Sequence, residues 1–343
     1  MLEAALLQIH GFGNEWFGFL WPLVWSVVKV MVLLGPVFMG VSYLTLAERK
    51  IIGAMQVRVG PNRVGFFGLL QPFADAAKLF TKETLIPSTA DKIPFLIAPV
   101  LVMAPALLSW AVVPIYPEVV VAEVNVAMLF LLAVASLEVY GVLLAGWASN
   151  TRYSFLGALR AASQMISYEV SMGFALVPVV MLAGSLNLTD VVMSQQNMWN
   201  IVPLFPAAMV YFISVVAETN RAPFDLPEAE AELVAGFFTE YSGMGFGMFF
   251  LGEYANMILV SALGALMFLG GWLPPLEILS FIPGVLWFGM KVSFLLFVFL
   301  WIRATFPRYR YDQLMRIGWK VFLPISLVWI FVTGAAMHLF GLA

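Results

Sequence analysis

The chain has 343 residues, of which 62% are hydrophobic and 11% charged. A soluble domain carries about 25% charged and about 45–50% apolar residues, so an ordinary globular domain is excluded and a lipid-embedded one is indicated. The net charge of -3 gives no basic excess for nucleic acid, and the absence of cysteine removes disulfides, thiolate-held zinc and iron–sulfur ligation.

Along the chain, the segment Met1 to Trp16 carries Glu3 and Glu15 and no basic residue, unlike a cleaved signal peptide. Apolar runs of about 20 residues can cross a bilayer core as helices. They fall near 17–47, 94–114, 124–147, 161–184, 201–217, 243–270, 283–302 and 321–341. The expected fold is all-α: a polytopic membrane protein of about eight transmembrane helices, one integral domain over 1–343. Its loops lie near 48–93, 148–160, 218–242 and 303–320. In the first loop Gly60-Pro61-Asn62 signals a turn. From Phe66, the residues Leu69, Leu70, Phe73, Ala76, Ala77 and Phe80 recur at helical spacing, with Pro72 suited to a first turn. This predicts a short amphipathic helix, lying in the membrane interface or packed on partner protein.

Fifteen of the seventeen Lys and Arg residues fall in the first, third, fifth and seventh loops, and none in the tails or the even loops. The positive-inside rule then puts those loops in the cytoplasm and both termini outside. The remaining two, Lys29 and Lys291, fall within spans, as do Glu138, Glu169 and Glu253. Intramembrane charge costs ~2.5–3.5 kcal/mol at a helix centre, so such groups face a partner or a wet cavity. Lys29 lies near the outer side, where snorkelling explains it. Counted from the cytoplasmic end at ~1.5 Å per residue, the three glutamates lie roughly 13–17 Å deep, with Lys291 at a similar level. A buried, partly compensated cluster is expected.

Glu218 sits at the mouth of the fifth span, and Asp225, Glu228, Glu230, Glu232 and Glu240 follow. On a helix, Glu228, Glu232 and Glu240 would share a face. Together these acids make a candidate proton ladder, although Glu218 could equally bridge to Arg221. Arg221 could in turn face an anionic intermediate or simply serve as that partner. Pro223 and Pro227 break the helix and leave an irregular, cavity-lining loop. Gly243, Gly245 and Gly247 would permit close helix packing.

Four loop motifs are more specific. The first loop holds Ala47-Glu48-Arg49-Lys50, then Gln56 to Gly65, Gly68 to Pro72 and Ala74-Asp75. The third holds Arg160-Ala161-Ala162-Ser163-Gln164 and Ile166-Ser167-Tyr168-Glu169. The fifth runs from Ala217 to Glu228 and on to Glu240-Tyr241-Ser242-Gly243, and the seventh from Trp301 to Leu314. In order and over nearly the whole length, these resemble the H-type membrane subunit (the mitochondrial subunit 1 type) of respiratory complex I, the proton-pumping NADH:quinone oxidoreductase. The resemblance implies a bacterial inner-membrane subunit joining the membrane arm to the peripheral arm. It implies a tunnel for ubiquinone or menaquinone, with Arg49, Arg58, Arg221, Phe224 and Asp225 on its roof and wall. The quinone would be reduced by neighbouring peripheral quinone-site and iron–sulfur subunits, this chain holding no flavin, metal or cluster. A glutamate channel toward antiporter-like membrane subunits maps onto Glu169, Glu218, Glu228, Glu232, Glu240 and Glu253. Competing classes are the membrane subunit of energy-converting hydrogenases, a secondary proton–cation transporter and a passive anchor. The fifth-loop motif disfavours the first, the lack of an internal repeat the second, and the buried carboxylates the third.

Overall fold

A computed structural model describes residues 18–117, 119–225 and 235–340. Helix α1 spans Trp21–Met55, α2 Gln71–Thr81, α3 Lys92–Leu108, α4 Ala127–Ala148 and α5 Arg152–Ala183. There follow α6 (Leu188–Met193), α7 (Phe205–Glu218), α8 (Gly243–Phe268), α9 (Gly284–Thr305), α10 (Tyr311–Ile317) and α11 (Leu323–Phe340). A π-turn at Gly318–Phe322 joins the last two into one run. Among the described residues, seven segments are long and apolar enough to cross a membrane, and α7 is a shorter apolar helix. The expected eight-helix, all-α membrane fold is therefore present.

The four basic loops meet at one end of the bundle, the basic end. Asp91 N–H donates to Ala148 O, Leu85 N–H to Ser242 Oγ and Arg308 to Asp225, so loops one, three, five and seven touch there. At the opposite end, Met128 N–H donates to Leu186 O and Ile201 N–H to Phe268 O. Helix α8 is the axis: 83% of its apolar window is buried, against 17% for α1 and for the C-terminal run. The outer helices therefore keep large apolar side chains such as Met31, Val32, Phe294 and Phe331 exposed, as a lipid-facing surface requires. Lys29 lies exposed on α1.

The small-residue positions explain the close contacts. A Cβ on Gly157 would stand 2.6 Å from Gly236 Cα, so α5 and the fifth loop meet backbone to backbone. Gly68 has φ +80°, and a Cβ there would stand 2.3 Å from Pro61 O, which closes the first-loop turn where Gly60-Pro61-Asn62 placed it. Of the three glycines at the start of α8, Gly247 admits Leu79 of α2 and Gly243 admits Lys82 O, while Gly245 faces Tyr241. Helix α2 thus rests on α8, and Phe73 meets Tyr43 of α1 edge-on. Its remaining apolar residues, with Phe66 and Phe67 before it, stay exposed. Pro72 stands in its first turn, as its lost N–H requires. Tyr241 stacks on Phe95 at 4.0 Å and donates to its carbonyl; burial pushes this phenol's pKa up and keeps it neutral.

Two of the boundaries that differ from expectation bear on the site. The α5 helix begins at Arg152, so Arg160 to Glu169 is helical throughout and the third loop shrinks to a few residues. Hydropathy marks where lipid ends, whereas the helix continues because its polar first turns pack on protein: Gly146 lies against Ser154 O and Ala158. Likewise α1 runs on to Met55, which places Glu48 on a helix rather than in a loop.

Candidate functional site

Glu48 lies in the last turns of α1, buried at the basic end. Its carboxylate pairs with Arg303 at the end of α9, faces Arg221 Nη1 at 3.5 Å and accepts a hydrogen bond from Tyr254 Oη at 2.7 Å. Arg221 Nε in turn pairs with Glu253 at 2.6 Å, and its guanidinium lies 4.3 Å over the Tyr254 ring. Two carboxylates and two guanidiniums drawn from α1, α8, α9 and the fifth loop thus compensate one another, Glu48, Arg221 and Glu253 largely out of water and Arg303 half-buried. Burial of each alone would cost several kcal/mol, so the arrangement stands or falls together. Arg221 is turned to Glu253 and Glu48 rather than to Glu218.

The fifth loop is fixed just beyond. Gln164 of α5, fully buried, donates its amide to Ala217 O at 2.6 Å and to Phe224 O at 2.8 Å. The Phe224 ring stacks on Tyr309 at 5.5 Å and lies 6.0 Å from Tyr168. Buried Asp225 accepts from Arg308 at 3.0 Å. These contacts place Arg221, Phe224 and Asp225 in one buried, ordered segment. Arg49 and Arg58 are elsewhere: Arg49 pairs with Asp75 at 2.7 Å on the surface, and Arg58 is exposed and bonded to Gln56.

Of the acidic ladder, Glu138, Glu218 and Glu253 line one cavity of about 20 Å³ with Thr219, Asn220 and Phe249, room enough for a water. Glu138 accepts from Asn256 at 2.9 Å. Glu218 Oε2 is buried and has no hydrogen-bond partner among the described residues. Glu169 is half-buried and accepts from Ser136, two residues before Glu138. Glu240 is half-buried in the turn before α8, and Glu228 and Glu232 lie outside the described residues.

Lys291 does not join this group. Its ammonium donates to the carbonyls of Leu269, Gly271 and Leu273 at 2.6, 2.9 and 2.7 Å and lies 4.3 Å over the Trp199 ring. That is the opposite end of α8, thirteen residues past Asn256 and hence about 20 Å along the axis. The negative end of the helix dipole and its unpaired carbonyls draw the ammonium there. The expected common level for Lys291 and the glutamates is corrected accordingly. Glu48, Asn256, Ser136 and Gln164 were not singled out from the sequence. Glu48 and Gln164 stand within quoted motifs, so their signal was present; nothing marked Asn256 or Ser136.

An apolar cleft of about 550 Å³ opens between α1 and α9. On α1 it is lined by Leu33, Val37, Gly40, Leu44, Ala47 and Ile51, one helical stripe, and opposite by Val285, Phe288, Gly289, Val292 and Leu296. Ile258 of α8 forms its back. The stripe ends at Ala47 and Ile51, either side of Glu48.

Helical spans around a buried charge network, with an apolar cleft between α1 and α9, define a polytopic membrane protein. A family model described as NADH dehydrogenase matches residues 28–334. The H subunit of NADH-quinone oxidoreductase from Magnetococcus marinus is 68% identical over 337 residues, covering 98% of both chains. The proteins of the same name from Polaromonas naphthalenivorans (55%, 98% of both chains) and Rhodospirillum rubrum (56%, 95% of this chain and 98% of that one) are also similar. The chain belongs to the family of NADH-quinone oxidoreductase H subunits.

Proposed function

We propose that this chain is the quinone-tunnel subunit of a proton-pumping NADH:quinone oxidoreductase in a bacterial cytoplasmic membrane. Electrons would arrive from iron–sulfur and quinone-site subunits of a peripheral arm docked at the basic end, since this chain has no cysteine to hold a cluster. The observation that carries the reading is the largely apolar α1–α9 cleft, whose lining reaches Ala47 and Ile51 around Glu48 on α1 and Leu300, one turn before Arg303 on α9; Glu48 in turn faces Arg221. An isoprenoid tail suits such walls, and a headgroup gaining negative charge on reduction suits guanidiniums already shared between buried acids.

Reduction adds electrons and protons to the quinone. Extra negative charge beside Arg221 competes with Glu253 and Glu48 for the guanidinium. Glu253 shares its cavity with Glu218 and Glu138, so loosening that pair alters the field on both and invites proton uptake. From there protons would pass by water to Glu169 and to antiporter-like membrane subunits, with Glu228, Glu232 and Glu240 supplying the cytoplasmic end. Arg49, Arg58, Phe224 and Asp225 would shape the tunnel's mouth and the partner contact.

Filling the cleft tests the reading. Gly289 has open space where a Cβ would go, so Gly289→Phe occupies the cleft without displacing the backbone. It is expected to lower kcat/KM for long-tail quinones about tenfold or more, while NADH reduction of an artificial acceptor ahead of the membrane arm persists. An unchanged kcat/KM would refute the cleft as the quinone path. The basic end is assigned to the cytoplasm and both termini to the outside. A reporter that matures only outside the membrane should be active when fused at the C-terminus and silent in the 303–310 loop; the reverse pattern inverts the topology.

A further inference from the structure

The end of α8 remote from the charge network is built with unusual completeness. A helix leaves its last carbonyls without intrahelical donors, and within a membrane protein these need partners. Here Leu266 O accepts from Gln195, Met267 O from Asn200, Phe268 O from Ile201 N–H and Leu269 O from Lys291. Gly270 and Gly271 follow at φ +70° and +48°, which turns the Gly271 and Leu273 carbonyls back toward the same ammonium. The socket is therefore three carbonyls and an indole face around one buried cation.

Lys291 comes from α9, between Phe288, Gly289 and Val292, which line the cleft. On α8 the back of the cleft is Ile258, between Glu253 at one end and the socket at the other. The α8–α9 pair is thus tied twice, by Arg303 and Tyr254 meeting on Glu48 at the basic end and by Lys291 at the other. We infer that Lys291 is a positioning residue for the quinone tail: seated in its carbonyl socket, it fixes the α9 wall and so sets the width of the cleft far from the headgroup. This rests on the cleft being the quinone path. A purely local cap would support the fold without discriminating between tails.

The test compares quinones of long and short isoprenoid tail in membranes containing the whole complex. Lys291→Ala empties the socket of its ammonium. It is expected to raise KM for the long-tail quinone roughly tenfold, with a much smaller change for the short-tail one, which reaches past less of the wall. Methylammonium or ethylammonium, seated between the freed carbonyls and Trp199, is expected to restore the long-tail KM. Lys291→Met, which fills the space without a charge, is expected to show the same defect with no rescue. Equal loss for both tails, no loss, or no amine rescue would overturn the assignment. Should Lys291→Ala fail to accumulate, Lys291→Arg against Lys291→Met reads the same split, the arginine keeping the long-tail KM near wild type. Gly289→Phe is run beside them. If it leaves the long-tail KM unchanged, the cleft reading has failed; if it raises it while the Lys291 variants do not, only the present inference falls.

Discussion

Arg221→Met is expected to reduce NADH:quinone turnover at least about a hundredfold, with artificial-acceptor reduction in the same membranes far less affected. The guanidinium touches Glu253 at 2.6 Å and Glu48 at 3.5 Å, and all three groups are largely out of water. Removing one partner of such a network typically costs ~3–5 kcal/mol, because the charges left behind are uncompensated. Arg303 and Tyr254 still hold Glu48, but Glu253 loses its ion pair. The double variant Arg221→Met/Glu253→Gln removes both charges and is expected to restore the chain's level in membranes without restoring turnover. That combination separates an assembly role from a role toward the headgroup. Arg221→Lys should rescue poorly, since one ammonium cannot meet Glu253, Glu48 and the Tyr254 face together. Wild-type quinone turnover in Arg221→Met would remove this residue from the site.

Glu218→Gln is expected to leave the complex assembled and to cut proton pumping per turnover, or turnover itself, about tenfold or more. A positioned proton-transfer group contributes ~10²–10⁴, so the expectation is modest. Glu218 shares a water-sized cavity with Glu138 and Glu253, and one of its oxygens is buried without a hydrogen-bond partner among the described residues. A structural glutamate so thoroughly desolvated would have one. Glutamine keeps the shape and cannot carry the proton. Glu169→Gln, which keeps an acceptor for Ser136, should behave alike if protons travel on through it. A pH-sensitive dye in sealed vesicles, read against NADH consumption, measures the ratio; a wild-type ratio and rate in both variants would dismiss the glutamate path.

Much of this was legible in the chain. Spans show because lipid demands long apolar runs, and the convergence of four loops at one end shows because basic residues collect there. The resemblance assigned Arg221, Phe224 and Asp225 to the roof and wall of a tunnel; that they lie in one buried segment is seen only in the fold. Other features carry no such mark. Glu48 follows an apolar stripe and precedes Arg49-Lys50, so it looked like the first residue of a solvated loop, although α1 continues past it. Lys291 was placed by counting from one end of its span. A count gives depth along α9 but cannot see that the end of α8 offers three carbonyls. Asn256 has no signature at all, because an amide is neutral and its value lies in which carboxylate the fold sets opposite.

The charge network also fixes an order of events in the making of the protein. Glu48 is synthesised 173 residues before Arg221 and 206 before Tyr254. At about 5–20 residues per second, its first partner arrives roughly 9–35 s later, and Arg303 later still. A carboxylate cannot wait that long in hydrocarbon. The last two turns of α1 are therefore expected to stand in water until Arg221 is made, and to close fully only when Arg303 follows with the seventh span.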